Sequence, residues 1–170
     1  MLKLALQVID MDYKANFKLG RYSYYFRNEE LLFTVDIKLK FYVFVIDCYI
    51  YQNGREIISF REDNFLVGIR LKLINQSLPH FIELERKNID SYYLKVANRV
   101  IYIKITYASF LMKNFGEFFI DGKSYGRVMK STKFSETDFI FEFQDEENEL
   151  NFYCMLLFAM HTVGYANIRW

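Results

Sequence analysis

The sequence predicts a mainly β protein, a closed antiparallel barrel of about twelve strands around a hydrophobic C-terminal helix. Three observations lead there. Between residues 21 and 143 the chain is a series of short apolar or alternating runs rich in Val, Ile, Tyr and Phe. These are broken by Asn, Asp, Gly and Ser roughly every ten residues, the rhythm of an all-β sandwich or barrel. Hairpin chemistry recurs at the breaks. Finally, the stretch from Leu150 to Ile168 contains no Asp, Glu, Lys or Arg in a chain that is 25% charged, so a long apolar segment needs an interior to occupy.

The candidate strands run from about residue 20 to about residue 143. They are YSYYF from Tyr22, LLFTVDI from Leu31, FYVFVIDCYIY from Phe41, REIISF from Arg55 and FLVGIRLKLI from Phe65. HFIELER from His80, SYYLKVA from Ser91, RVIYIKITY from Arg99, GEFFI from Gly116, YGRVMKS from Tyr125 and DFIFEF from Asp138 follow, with a short piece near Ser109. Arg70 and Lys72 alternate with Ile69, Leu71 and Leu73, giving that strand one wet and one dry face. Asn53-Gly54 supplies the two positive φ values of a type I′ turn. Asp121-Gly122 reads the same way with a slightly longer loop, and Ala97-Asn98 separates two further strands. Meander-like hairpins are therefore the simplest topology. Pro79 is the only proline, and no linker or second domain is visible, so residues 1–170 read as one domain.

The helix is expected over about residues 146–165, roughly 30 Å at 1.5 Å per residue. Asp145 is its expected N-cap, with Glu146, Glu147 and Glu149 in the first turn beside the positive end of the dipole. The following residues are apolar on every face, which suits either the centre of a core or a membrane span. The charge-free stretch just reaches spanning length. Asn151, His161, Thr162 and Asn167 count against lipid. Eight strands close on their own side chains, whereas eleven or more enclose a helix on the axis.

Composition narrows the function classes. With 22 basic and 21 acidic residues and a net charge of +1, no long-range field draws in nucleic acid. Cys48 and Cys154 have neither metal-type spacing nor a disulfide framework, and read as buried free thiols of a reducing compartment. The start, MLKLALQVIDMD, has a six-residue apolar run ended by Asp10 and Asp12, too short for a signal sequence. A cytoplasmic protein, peripheral to a membrane at most, is expected.

No catalytic constellation stands out, and neither a cofactor nor a metal is expected. No GxxxxGK or GxGxxG loop is present, and the two histidines, His80 and His161, are far apart in sequence. His161 reads as a core histidine bonded to a strand carbonyl. Cys154 and His161 share a helical face but stand about 10 Å apart, too far for a dyad. Asp47 interrupts an apolar strand and needs a partner such as Arg55, Arg61 or a turn amide. The densest basic cluster is Lys123, Arg127, Lys130 and Lys133, the candidate site for an anion or a lipid headgroup. In a regular strand Arg127 and Met129 point one way and Val128 and Lys130 the other, so convergence would need the turn and the following loop to bring Lys123 and Lys133 around.

VIDCYIYQNGREIISF, FFIDGKSYGRVMKS and DFIFEFQDEENELNFYCMLLFAMHTVGY together resemble the tubby C-terminal-like superfamily, in particular its LURP-one-related branch, to which phospholipid scramblases are related. The resemblance spans about residues 20–168 and implies a twelve-stranded barrel around a hydrophobic helix. Known members imply phosphoinositide binding at a basic groove, association with membranes or scrambling of lipids, or a scaffold of unknown ligand. The expectation taken from these is a non-enzymatic barrel binding phosphoinositide or anionic phospholipid at a membrane surface. The basic residues of the tubby phosphoinositide site, and the calcium insertion and cysteine run of scramblases, have no counterpart here. The alternative expectation is a protein-interaction or structural scaffold, of accessory or immunity type, with a protein partner and no lipid ligand.

Overall fold

The computed structural model describes residues 12–18, 22–40, 45–65, 68–88, 91–105, 114–130 and 137–167. Twelve strands precede one helix: β1 (Tyr13–Lys18), β2 (Tyr22–Arg27), β3 (Glu30–Lys40), β4 (Val45–Gln52), β5 (Arg55–Phe65) and β6 (Gly68–Gln76). Then come β7 (Ile82–Asn88), β8 (Ser91–Val96), β9 (Arg99–Ile105), β10 (Asn114–Ile120), β11 (Lys123–Lys130), β12 (Thr137–Phe143) and α1 (Asn148–Asn167). All form a single antiparallel sheet in the order β6-β5-β4-β3-β2-β1-β12-β11-β10-β9-β8-β7, curled around α1 into a nearly closed barrel.

The twelfth strand is β1, ahead of the expected start near residue 20; the piece anticipated near Ser109 lies outside the described residues, as do residues 41–44. YKANFK is short and lysine-rich, yet Tyr13 and Ala15 are buried and Phe17 packs on the core while Lys14 points to water. What makes it a strand is its place between β2 and β12, with ladders on both sides. Phe65 ends β5 rather than opening β6.

Four hairpins close at one end of the barrel on two-residue turns in which both residues have positive φ: Asn28-Glu29, Asn53-Gly54, Ala97-Asn98 and Asp121-Gly122. These are the I′ geometry whose twist matches the strands. The Asp121-Gly122 loop is no longer than the others, since Ile120 pairs directly with Lys123. Neighbouring turns are tied together: the Asp121 carboxylate accepts from Val100 N at 2.9 Å and Arg99 Nη1 at 3.0 Å.

Three of these hairpins carry a bulge at the same place, leaving Leu32, Ile57 and Tyr125 as the extra residue beside Phe33, Ile58 and Gly126. Extra apolar side chains are thereby added at the barrel's end. At the third bulge the backbones come so close that a Cβ on Gly126 would lie 2.6 Å from Glu142 O and 2.7 Å from Phe143 Cδ1.

The helix is the core. Its residues from Leu150 to Val163 are buried, apart from the half-buried Phe152, which answers the choice between core and membrane in favour of the barrel interior. Among the described residues no helix is long and apolar enough to cross a membrane. Phe158 stands with ring centroids 5.0 Å from both Phe139 and Phe141 and 5.8 Å from Phe115. On another face Phe152 meets Phe33 at 5.4 Å.

The helix starts two residues later than expected, at Asn148, and ends at Asn167. Asp145 is not its N-cap: its carbonyl accepts from Asn151 Nδ2 at 3.1 Å, and the first helical bond runs from Asn151 N to Glu147 O. Glu149 alone of the three glutamates falls in the first turn.

Candidate functional site

Asp47 has the partner its position demanded. It lies directly across from Arg61 on the outer face of β4 and β5, with Arg61 Nε 2.7 Å from Oδ1 and Nη2 3.2 Å from Oδ2. The carboxylate is buried and the guanidinium only half so, and the pair raises the Arg61 pKa, chiefly through the hydrogen bond. This bidentate clasp accounts for an acid in an apolar strand.

The described members of the basic cluster, Lys123, Arg127 and Lys130, are spread along β11. Arg127 lies on the outer face and is held by Glu142, its cross-strand neighbour, with Nε 2.5 Å from Oε2. Val128 is buried on the opposite face, as the alternation required. Lys123 opens β11 beside the turn and Lys130 closes it, about 23 Å away at 3.3 Å per residue. Lys133 lies outside the described residues. Among the described members, one phosphate-sized group cannot touch all the charges.

Two of the interior polar groups are accounted for by the fold. Asn151 is fully buried, accepts from Tyr125 OH at 2.8 Å, and donates to Tyr13 OH at 3.2 Å and to Asp145 O. Thr162 bonds back to Phe158 O at 2.9 Å. His161 is buried, but the expected bond to a strand carbonyl is not made by Nε2, which has no partner among the described residues. Burial pushes its pKa down to about 4, and its ring stands edge-on to Tyr92 at 6.4 Å. Burial likewise raises both cysteine thiols, with Glu62, Asp47 and Asp36 adding to the effect at Cys48. Among the described residues no three His, Cys, Asp or Glu side chains gather to hold a metal.

The irregular feature of the wall is a seam. Among the described residues β6 pairs only with β5, and β7 only with β8, so two edges face one another where a hairpin ladder was expected. Residues 77–81, SLPHF, stand where the other hairpins have their tight turn. Two side chains take over part of the missing ladder. The Gln76 amide donates from Nε2 to Ile82 O at 2.9 Å and accepts from Ile82 N at 2.8 Å, copying a strand residue at the loop end. Farther along, Leu71 N donates to Tyr92 OH at 2.9 Å, so a tyrosine from β8 reaches past β7 to the edge of β6.

The loop itself is fastened. Ser77 bonds to Ile57 O and Glu56 O, His80 Nε2 lies 3.1 Å from Glu149 Oε1, and the Tyr153 hydroxyl meets the main chain of His80. Beside it are two of the most exposed large apolar side chains, Phe81 at 71% and Ile74 at 55%. Leu71, Leu73 and Leu84 pack against the core at the seam's inner side. On the outer side Arg70 and Lys72 flank β6, and Glu83 and Glu85 flank β7, with Glu85 paired to Lys95. Lys87 lies 3.3 Å above the Tyr102 ring.

Sequence reasoning missed the seam. The available signals were the sole proline, Pro79, and the lack of an Asn-Gly or Asp-Gly pair between two β-rich runs. Their consequence is visible only in the pairing. No family model matches the chain, and neither a curated protein nor a solved structure matches it.

Proposed function

We propose that this chain is a barrel of the tubby-like kind acting as a protein-recognition module, and that the β6–β7 seam is its recognition element, receiving an extended segment of a partner by strand addition. The observation that carries this reading is the pair of facing edges left without a ladder. An edge offers a row of main-chain donors and acceptors, and proteins normally cover or blunt it. Here, among the described residues, the edges are bridged only by the side chains of Gln76 and Tyr92, with Ile74 and Phe81 exposed beside them. Strand addition uses main-chain bonds for affinity and alternate side chains for specificity. An apolar inner lining of Leu71, Leu73 and Leu84 with charged outer rims suits a segment that alternates apolar and polar residues.

The lipid reading implied by the resemblance finds less support, because Arg127 is held by Glu142 and Lys123 and Lys130 stand at opposite ends of β11. The test is selection of ten-residue peptides from a displayed library on the native barrel, with the Ile74→Asp/Phe81→Asp variant as counter-selection. Amide exchange of the complex then locates the footprint. Alternating peptides that slow exchange along 70–76 and 82–88 support the proposal. Peptides that bind elsewhere, or none, overturn it. Salt-sensitive co-sedimentation with phosphatidylserine or phosphoinositide vesicles, lost on replacing Lys123 and Lys130, would return the function to lipid.

A further inference from the structure

A bulge near the end of β7 re-aims one lysine. Arg86 pairs with Tyr92 and Asn88 with Ser91, which leaves Lys87 as the extra residue, free of the strand's regular alternation. Its ammonium lies 3.3 Å from the centre of the Tyr102 ring and 5.3 Å from that of Tyr93, over both faces. Among the described residues Lys87 has no carboxylate partner, although Glu85 is two residues away; Glu85 pairs with Lys95 instead. The lysine rests on aromatic rings rather than on an acid.

Register lays out those rings. Glu85, Tyr93, Tyr102 and Phe119 lie directly across from one another on the outer face of β7, β8, β9 and β10. Tyr93 and Tyr102 are half-buried, with centroids 5.6 Å apart and planes at 54°, and Phe119 backs Tyr102 at 6.0 Å. The two tyrosines therefore make an open, angled cradle that already holds a cation.

Lys87 is a poor occupant of this cradle. A lysine ammonium is compact and strongly hydrated, and ring faces satisfy its three donors only in part. An exposed contact of this kind holds it by only about two- to fivefold in population. A quaternary ammonium has no N–H to satisfy, and its methyl groups spread the charge and pack on aromatic carbon, so aromatic cradles select it. The surrounding charges are sorted by sign. Glu85 flanks Tyr93 on one side. Lys104 is exposed two residues beyond Tyr102 on the same face, about 7 Å along β9. Glu117, across from Lys104, accepts from the Ser124 hydroxyl at 2.8 Å. A ring cradle with a lysine one step away matches a ligand whose quaternary ammonium is joined by a short arm to an anion. A trimethylated lysine brings no such anion.

We propose that Tyr93 and Tyr102 form a surface site, separate from the seam, for a phosphocholine group, free or as a lipid headgroup. The trimethylammonium lies on the two rings, Lys104 meets the phosphate, and Lys87 is a tethered stand-in that the ligand displaces.

The experiment titrates choline, phosphocholine and phosphoethanolamine into the full chain while the tyrosine ring signals are followed by NMR. The expected Kd for phosphocholine is about 1 mM, from two ring contacts and one charge-assisted contact. Phosphoethanolamine, which has the same charges without the methyl groups, should bind at least about tenfold more weakly. Lys87→Ala should bind choline roughly two- to fivefold tighter, a gain that misfolding cannot produce. Lys104→Gln should bind phosphocholine no better than choline, and Tyr102→Leu with native circular dichroism should bind neither. Phosphatidylcholine vesicles that retain the native chain but not Tyr102→Leu support the proposal and identify a lipid headgroup; free phosphocholine binding without vesicle binding supports it and identifies the soluble ester. Tyr93 and Tyr102 signals that stay still in both the native chain and Lys87→Ala, or that move equally with phosphoethanolamine, overturn it. Binding of a trimethyllysine peptide where phosphocholine fails also overturns it.

Discussion

Asn151 is the best place to test whether the polar groups at the head of the helix hold it in register. Its side chain is fully buried and makes three hydrogen bonds: from Tyr125 OH on β11, to Tyr13 OH on β1 and to Asp145 O before the helix. Tyr13 OH in turn donates to Asn148 Oδ1 at 2.9 Å, so one asparagine links α1 to two strands of the wall. Asn151→Ala removes all three bonds, and each is worth about 1 kcal/mol net. It also leaves the buried Tyr125 hydroxyl without its acceptor, for a total loss of about 3–4 kcal/mol. In a domain of this size that lowers Tm by roughly 6–15 °C. The assay is urea unfolding of Asn151→Ala, Tyr125→Phe and the double variant. Because Tyr125→Phe removes the hydroxyl that Asn151→Ala would orphan, the double variant should lose about 1–2 kcal/mol less than the two single losses summed. A loss below about 1 kcal/mol for Asn151→Ala, or an additive cycle, would show that the network is incidental to helix placement.

Gly126→Ala should destabilise by about 2–3 kcal/mol in the same assay, because the new methyl meets main chain that cannot move aside. Gly122→Ala has open space but a φ of +79°, so only about 1 kcal/mol of backbone strain is expected. His161 is held neutral by burial, its pKa about 4 against about 6.5 when unfolded. The unfolded chain then binds the proton first as pH falls, so this stability is present above pH 6.5 and is lost progressively toward pH 4. About 1.5 kcal/mol should disappear between pH 6.5 and 5, and His161→Phe should flatten the profile in that window. Cys48 and Cys154 are fully buried with raised pKa values, so a thiol reagent should label neither in the native protein and both at the rate of unfolding.

Much of the architecture was legible because it is written in local chemistry. Alternating runs specify strands whatever their partners, Asn-Gly and Asp-Gly specify I′ turns, and a helix apolar on all faces demands an enclosing wall. Asp47 announced its need for a counter-charge, but the Asn53-Gly54 turn alone would set Phe60 opposite it; the bulge that leaves Ile57 extra shifts the register by one and brings Arg61 across. Lys123, Arg127 and Lys130 were legible as charges, but their spacing along β11 and the pairing of Arg127 were not. Whether charges converge depends on bulges, faces and ion pairs such as Arg127 with Glu142, none of which is encoded by proximity in sequence.

Three things were decided only in three dimensions. YKANFK becomes β1 because β2 and β12 stand on either side of it, not through its own propensity. The helix begins at Asn148 because Asn151 reaches back to Asp145 O, overriding the capping role suggested by the residue type. The barrel stops short of closure because the β6–β7 loop is pinned to the helix and to β5, and because Tyr92 occupies the edge of β6. Hydrophobic periodicity and turn chemistry act within a few residues and so can be read from the chain. Ladder closure and the convergence of polar groups depend on residues distant in sequence, and only packing brings those together.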